Sequence, residues 1–443
     1  MDAALYYPWM YLKSGGERTI AEIIRRSRHR WTVFTNRFER ESTFPELATA
    51  NVVELPTVSV KRTFGHAAAA AWQIAGQKLP LQRYQALLVL CEGLGDFITF
   101  RNHEIPVLAL CFTPLRAAFD PYYQAGYLAM HRHAWLRRPA LYAGAAAFKV
   151  VDRLAWKHYA HVMVISEEVR RRVERGRLCS REKLSINPPG VDLARLKPCG
   201  VYEKKFVICG RIMWTKNVEL GIDAFKSFLA RRPDHSDFKL TIAGFVDRKS
   251  KPYIARLRER ARDCPNIEFL ESPPDEALFG VMKTSYALLY PPFNEDWGLM
   301  PIEAGALAKP VIATNRGGPR ETVRDGITGF LVEPRPEAFA TAMERLADDP
   351  SLARSMGDAG QSHAQQFGWD QFAGNLDAEM ERAVAGESWR EPAGERESLA
   401  GKTALHEAPF EPVRESKAGI AEKARMRNPA HLQTPRHSEE TSG

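Results

Sequence analysis

The chain has 443 residues, enough for two hydrophobic cores in domains of roughly 190 residues each once a polar C-terminal stretch is set aside. Its longest apolar runs, such as "ALLVLC" and "AGAAAF", fall far short of the ~20 residues that cross a bilayer, and the N-terminus lacks a signal-peptide pattern, so a cytoplasmic protein is expected. The net charge of +8 is uneven: of 62 Lys and Arg and 54 Asp and Glu, residues 1–193 carry 27 and 17, which leaves them at +10 and the remainder at −2.

Short apolar or β-branched runs alternate with amphipathic stretches, the signature of βα units around parallel sheets. A first series of strands is predicted at "ALYYPWM", "WTVFTN", "NVVEL", "ALLVLCEG", "IPVLALC" and "HVMVIS". The first helix follows Gly15 and Gly16, with Ile20, Ile23 and Ile24 at i, i+3 and i+4. "PPGVDLARLKPCGVYEKK" then packs proline, glycine and charge without periodicity and reads as a hinge. A second series follows at "KFVICG", "FKLTIAG", "IEFLES", "YALLYPP", "PVIAT" and "GFLVEP", with Ile222, Phe225 and Leu229 at helical spacing after its first strand. From about Gly386 the chain turns to Glu, Arg, Ser, Pro and Gly with isolated apolar residues, too few to offset the entropy of ordering. The expectation is therefore an α/β protein of two Rossmann-like domains, 1–193 and 194–385, with a disordered tail at 386–443.

Several chemistries find no support. The six cysteines are scattered without a CxxC pair, against a zinc site or a disulfide framework. His131 and His133 form an HxH with no third ligand spaced to complete a metal site. No two aspartates stand two apart, as metal-dependent sugar transferases usually place them, and a nucleophile elbow, a P-loop and a GxGxxG fingerprint are absent. The basic half carries no RNP-like aromatics, zinc finger or basic zipper, so nucleic acid is not expected as a partner. A solvated basic face or an anionic membrane surface accounts for its charge equally well.

The most informative segment is "YALLYPPFNEDWGLMPIEAGALAKPVIATNRGGPRETVRDGITGFLVEP", residues 286–334. A strand ends at Tyr290, a loop carries Glu295, and a helix opens near Gly298–Pro301 with its free N–H groups and positive dipole end at the sheet edge. This is an anion site, to which Gly298, Leu299 and Met300 contribute amides. Glu303, placed in the first helical turn, suits hydroxyl donors such as those of a sugar. Gly317 and Gly318 allow a close backbone approach to a ligand before another helix starts at about Pro319.

This segment resembles the family 4 retaining glycosyltransferases, whose signature is two glutamates separated by seven residues, followed by "GKPVIA…GG…E…G.TG". Here these read Glu295, Glu303, "AKPVIAT", Gly317, Gly318, Glu321 and "GITGFLVEP". "FVICGRIMWTKNVELGIDAF" resembles the family's "GR…KN" segment, which implies that Arg211 and Lys216 hold the donor diphosphate; cations are what a departing diphosphate needs. "KSGGERTIAEII" resembles its glycine-rich "GG.ER" loop, with Gly15 and Gly16 either approaching the donor or acceptor or making an ordinary βα turn. "INPPGVDLARLKP" is similar to its "Y.PGVD…F.P" hinge.

"LCFTPLRAAFDPYY" resembles the "CHTPMRY.WD" stretch of members that build bacterial surface polysaccharides, many of them mannosyltransferases; Thr113, Pro114, Arg116 and Asp120 match. Phe112 stands where that family has a sugar-approaching histidine, so it either reads an apolar group on the donor, such as a deoxysugar methyl, or is core at the end of a strand. The resemblance covers roughly residues 10–385. It implies the GT-B fold, two domains facing across a cleft, and metal-independent transfer from a nucleotide diphosphate sugar, with GDP-mannose favoured. No cofactor is expected. The acceptor implied is a glycan or a lipid-linked sugar, and the stretch of aromatic and basic residues that includes Trp135, Tyr142, Phe148 and Trp156 is expected either to make peripheral membrane contact or to form two core helices with basic outer faces. The alternative is an inactive GT-B protein that only binds a nucleotide sugar or a glycan.

Overall fold

The structure, a computed structural model, describes residues 1–60, 64–130 and 138–387. His131, His133, Trp135 and the stretch from 388 onward fall outside the described residues.

The first sheet contains β1 (Asp2–Tyr6), β2 (Arg30–Thr35), β3 (Val52–Glu54), β4 (Ala86–Cys91), β5 (Val107–Cys111), β6 (His161–Val164) and β7 (Leu184–Ile186). They lie in the order β3-β2-β1-β4-β5-β6-β7, every pair parallel. All six residues of β4 are buried. That is why "ALLVLC" shows no alternation: a central parallel strand is covered on both faces. The accompanying helices are α1 (Gly15–Arg26), α2 (Pro45–Ala48), α3 (Phe64–Gly76), α4 (Arg116–Phe119), α5 (Pro121–Met130), α6 (Arg138–Trp156) and α7 (Glu167–Gly176).

The second sheet contains β8 (Lys205–Cys209), β9 (Lys239–Gly244), β10 (Ile267–Glu271), β11 (Ala287–Tyr290), β12 (Val311–Thr314) and β13 (Gly329–Val332), in the parallel order β10-β9-β8-β11-β12-β13. Its helices are α8 (Val218–Arg231), α9 (Lys251–Ala261), α10 (Asp275–Thr284), α11 (Leu299–Ala306), α12 (Pro319–Thr322), α13 (Pro336–Asp348), α14 (Pro350–Ala364) and α15 (Trp369–Ala385). The two Rossmann-like sheets are those expected from the strand pattern; β7, only three residues long and against the hinge, is an addition to it.

The chain passes between the domains twice. The hinge leads from β7 to β8, and 365–368 leads back from α14 to α15. The two crossings touch: Val191 pairs with Gly368, and a Cβ on Gly190 would lie 2.5 Å from the amide of Trp369. Although α15 belongs to the segment assigned to the second domain, it packs on the first. Phe372, Leu376 and Met380 are buried there. Asn187 donates to the Phe372 carbonyl at 3.1 Å, and Asp377 accepts from the Arg28 amide at 2.9 Å.

The inner face of α6 holds a buried carboxylate, Asp152, beside Asp96, whose own oxygens accept from Tyr159 (2.5 Å) and Cys91 (3.1 Å). Burial, with Asp96 adding to it, pushes the Asp152 carboxyl well up. A carboxyl raised in the folded state loses stability as the pH climbs above its unfolded value, because only the unfolded chain ionises freely. Asp152→Asn is therefore expected to stabilise the fold at pH 7 by on the order of 1 kcal/mol, the gain shrinking as the pH falls through the ordinary carboxylate range. Urea midpoints at neutral and acidic pH measure it.

Candidate donor site at the switch point of the second sheet

Strand order in the second sheet runs one way from β8 to β10 and the other from β11 to β13. The reversal opens a crevice at the carboxyl ends of β8 and β11, where open α/β sheets take their ligands. After β8 the backbone turns at Gly210 (φ +120°), passes Arg211, makes a tight turn at Trp214–Lys216, and enters α8 through Asn217 (φ 50°). After β11 the loop 291–298 ends at Gly298 (φ 102°), which starts α11 without a side-chain cap. A Cβ on Gly210 would lie 3.6 Å from Met300 Cγ, so the start of α11 closes on the β8 loop.

Four of the expected residues lie around this crevice. Lys216 Nζ donates to Glu295 Oε2 at 2.5 Å and lies 5.8 Å from the Tyr290 ring centre. Arg211 makes no ion pair or side-chain hydrogen bond among the described residues; its charge acts on Glu17 in α1 of the opposite domain. Glu303 lies in the second turn of α11, not the first, because the helix begins at Leu299. Its charge adds to burial in raising the Cys209 thiol at the end of β8 and the Tyr290 hydroxyl at the end of β11. Burial raises its pKa to about 7 against the opposing pull of Arg18 and Arg195, and its Oε2 is sealed from solvent with no hydrogen-bond partner. A buried acceptor without a donor is costly and calls for one.

Other expected residues serve the protein itself. Gly317 (φ +60°) and Gly318 fold against the Glu295 loop: added Cβ atoms would lie 2.3 Å from the Glu295 carbonyl and 2.1 Å from that of Trp297. The Gly318 amide donates to Glu295 O at 2.8 Å, so it is not free for a ligand. Gly16 is required by packing, with Tyr7 Oη 2.8 Å from its added Cβ, whereas Gly15 faces open space. Phe112 is 9% exposed and packs in the core, which favours the core reading over contact with a sugar.

Arg116 and Asp120 belong to a network between the domains. Arg116 donates to Asp120 (2.8 Å) and to the Asn294 carbonyl (2.5 Å). Arg172, 1% exposed, donates to Asp296 and Thr113 and lies 3.5 Å from Asp120. Burial alone would raise the Asp296 carboxyl, yet Arg116 and Arg172 hold it below the usual carboxylate range. Ser166 donates to the Asp296 carbonyl at 2.5 Å, and Glu321 accepts from the Glu167 (2.8 Å) and Glu168 (3.1 Å) amides at the start of α7. The anion position at that helix end is thus filled by the chain itself. Sequence reading passed over Arg172 and Asp296; the one available signal was an arginine on the apolar stripe of Val169 and Val173, a place that demands a buried partner.

Among the described residues no group of three or more His, Cys, Asp or Glu is arranged to hold a metal ion.

Residues 200–363 match the family described as glycosyl transferases group 1. A D-inositol 3-phosphate glycosyltransferase of Streptomyces avermitilis is 30% identical over 270 residues, covering 55% of this chain and 57% of that protein. The mouse alpha-1,3/1,6-mannosyltransferase ALG2 is 32% identical over 180 residues, 39% of this chain and 43% of the relative. The chain spans about half the length of the curated relatives it matches. Among solved structures, sucrose-phosphate synthase from Thermosynechococcus elongatus superposes with a TM-score of 0.67 at 19% identity, over 87% of this chain and 100% of that one. Anabaena HepE in complex with UDP and glucose gives 0.64 at 16% identity, over 86% and 99%. The fold is therefore GT-B.

Proposed function

We propose, from the match of residues 200–363 to the glycosyl transferases group 1, that the protein transfers a hexosyl group from a nucleotide diphosphate sugar to a glycan or lipid-linked acceptor, with retention of configuration. The observation that carries this reading is the convergence, at the β8–β11 crevice, of two cations, the uncapped start of α11 and the orphaned Oε2 of Glu303. A diphosphate bound to a ribose presents the matching partners, two anionic groups and a pair of hydroxyl donors.

In this reading the bond from the sugar C1 to the diphosphate oxygen breaks with its electrons on that oxygen. Arg211, Lys216 and the amides of Leu299 and Met300 neutralise the growing charge. The acceptor hydroxyl attacks C1 from the same face and gives its proton to the departing phosphate oxygen. Glu295, fixed by Lys216 and by the Gly318 amide, orients the sugar, and Glu303 accepts from the ribose hydroxyls. Because the protein supplies the positive charge, the step calls for no metal ion. GDP-mannose remains the favoured donor on the resemblance to polysaccharide mannosyltransferases; HepE, whose structure holds UDP and glucose, and the mannosyltransferase ALG2 support a nucleotide sugar and a hexosyl group respectively.

Incubation with labelled GDP-mannose or UDP-glucose and candidate acceptors is expected to yield a new glycoside. Free sugar alone would mean a hydrolase. Binding with no product would mean an inactive nucleotide-sugar binder.

The pH dependence of donor binding follows from Glu303. Ribose hydroxyls favour its charged form, so binding releases a proton below about pH 7, where the free carboxyl is protonated. Donor affinity should therefore weaken as the pH falls below about 7 and level off above it. In Glu303→Gln the affinity should be lower and the dependence absent, as calorimetric titration across pH 5.5 to 8.5, a span of about 1.5 units on either side, measures.

A further inference from the structure

Helix α6 has an apolar face that nothing in the described structure covers. Its inner side, with Phe148, Asp152, Ala155 and Trp156, packs on the first domain, so Phe148 and Trp156, expected from the sequence to contact a membrane, are core instead. Its outer side puts Tyr142, Val150 and Leu154 on one i, i+4 ridge, joined by Ala146 and flanked by Val151. These side chains are exposed, Val150 by 58% and Leu154 by 47%. Helix α3 packs on the same segment, 94–100, as α6 does, and exposes Trp72 by 83%. Large apolar side chains exposed together along one helix ridge mark an interaction surface rather than ordinary scatter.

The charges around the face say what covers it. Residues 121–151 contain no Asp or Glu, and neither do residues 55–91, the two stretches that include α3 and most of α6. Arg138 and Lys157 stand at the two ends of α6, with Lys149 along its edge. A second copy of the same cationic face would repel it, whereas an anionic surface attracts it. No helix among the described residues is long and apolar enough to cross a membrane. An α-helix of 19 residues is about 28 Å long, and an apolar face with basic edges suits the boundary between headgroups and acyl chains, to a depth of about 5–10 Å.

We propose that the outer face of α6 docks the chain on an anionic lipid bilayer. No residue of the β8–β11 crevice takes part, so the surface stands or falls apart from the donor reading. If the acceptor is lipid-linked, the docked domain meets it at the bilayer surface.

The test is co-sedimentation of the full chain with vesicles of equal parts phosphatidylglycerol and phosphatidylcholine, and with phosphatidylcholine alone, alongside light scattering for oligomeric state. The chain should pellet with the anionic vesicles at low salt, with partitioning on the order of tenfold weaker on the neutral ones. The double variant Val150→Glu, Leu154→Glu, both exposed and so tolerant of charge, should lose on the order of tenfold in partitioning while keeping its melting temperature. Wild-type chain left in the supernatant, a variant that binds as well as wild type, or a wild-type dimer that the variant splits without vesicles would each overturn the proposal.

Discussion

Lys216→Ala should lower kcat/KM for sugar transfer by more than tenfold, and Arg211→Ala should do the same. Each removes a charge-assisted contact to the donor diphosphate worth about 1.5 to 3 kcal/mol, a factor of roughly 10 to 150. The structure puts Lys216 toward the upper end. Its ammonium forms a salt bridge with Glu295, so its loss leaves a carboxylate facing the diphosphate unneutralised. Arg211 forms no salt bridge with a carboxylate among the described residues, acting on Glu17 only at longer range, and its loss should fall mainly on donor binding. Steady-state kinetics of both variants, with Glu295→Gln and the double variant Lys216→Ala, Glu295→Gln to complete a cycle, separate the two terms. Coupling between Lys216 and Glu295 is expected. Wild-type turnover and donor affinity in both cation variants would remove them from the site.

The largest effect on stability is expected at Arg172. Its guanidinium is buried between Asp296 of the second domain and Asp120 of the first, with Thr113 and Glu168 as further acceptors. Replacing it with methionine keeps the volume but strands buried carboxylates. Removing one partner of a buried ion pair typically costs about 3 to 5 kcal/mol, and Arg116, which also flanks Asp296 and Asp120, should hold the loss to the lower part of that range. Urea denaturation is the measurement. The replacement should also loosen the domain contact, since Ser166 and Glu321 hold the same junction only through hydrogen bonds. A loss under about 1 kcal/mol would mean that Arg116 carries the network alone.

The strands were legible because their signal is local. Runs such as "ALLVLC" and "KFVIC" are apolar over the length of one strand and are bounded by turn residues. β7 escaped because three residues beside a hinge make no run. That Arg211, Lys216, Glu295 and Glu303 lie around one crevice was legible for another reason: their segments follow strand ends at fixed spacing, so a motif carries them together. What the motif could not say is which groups remain free. The glycines Gly317 and Gly318 look alike in sequence whether they admit a ligand or, as here, the Glu295 and Trp297 carbonyls. Asp296 looked like a loop residue because its partner, Arg172, is 124 positions away. Arg116 and Asp120 invited a sugar-binding role for the same reason, since Arg116 reaches Asn294 and Asp296 across the domains and Asp120 holds Arg116 and Arg172 in place.

The central claim is that a nucleoside diphosphate binds at the β8–β11 crevice, and a crystal structure of the chain with UDP or GDP tests it most directly. The account predicts the diphosphate against Arg211, Lys216 and the first amides of α11, with both ribose hydroxyls donating to Glu303. A nucleotide bound elsewhere, or one in the crevice whose ribose leaves Glu303 Oε2 without a donor, would contradict it.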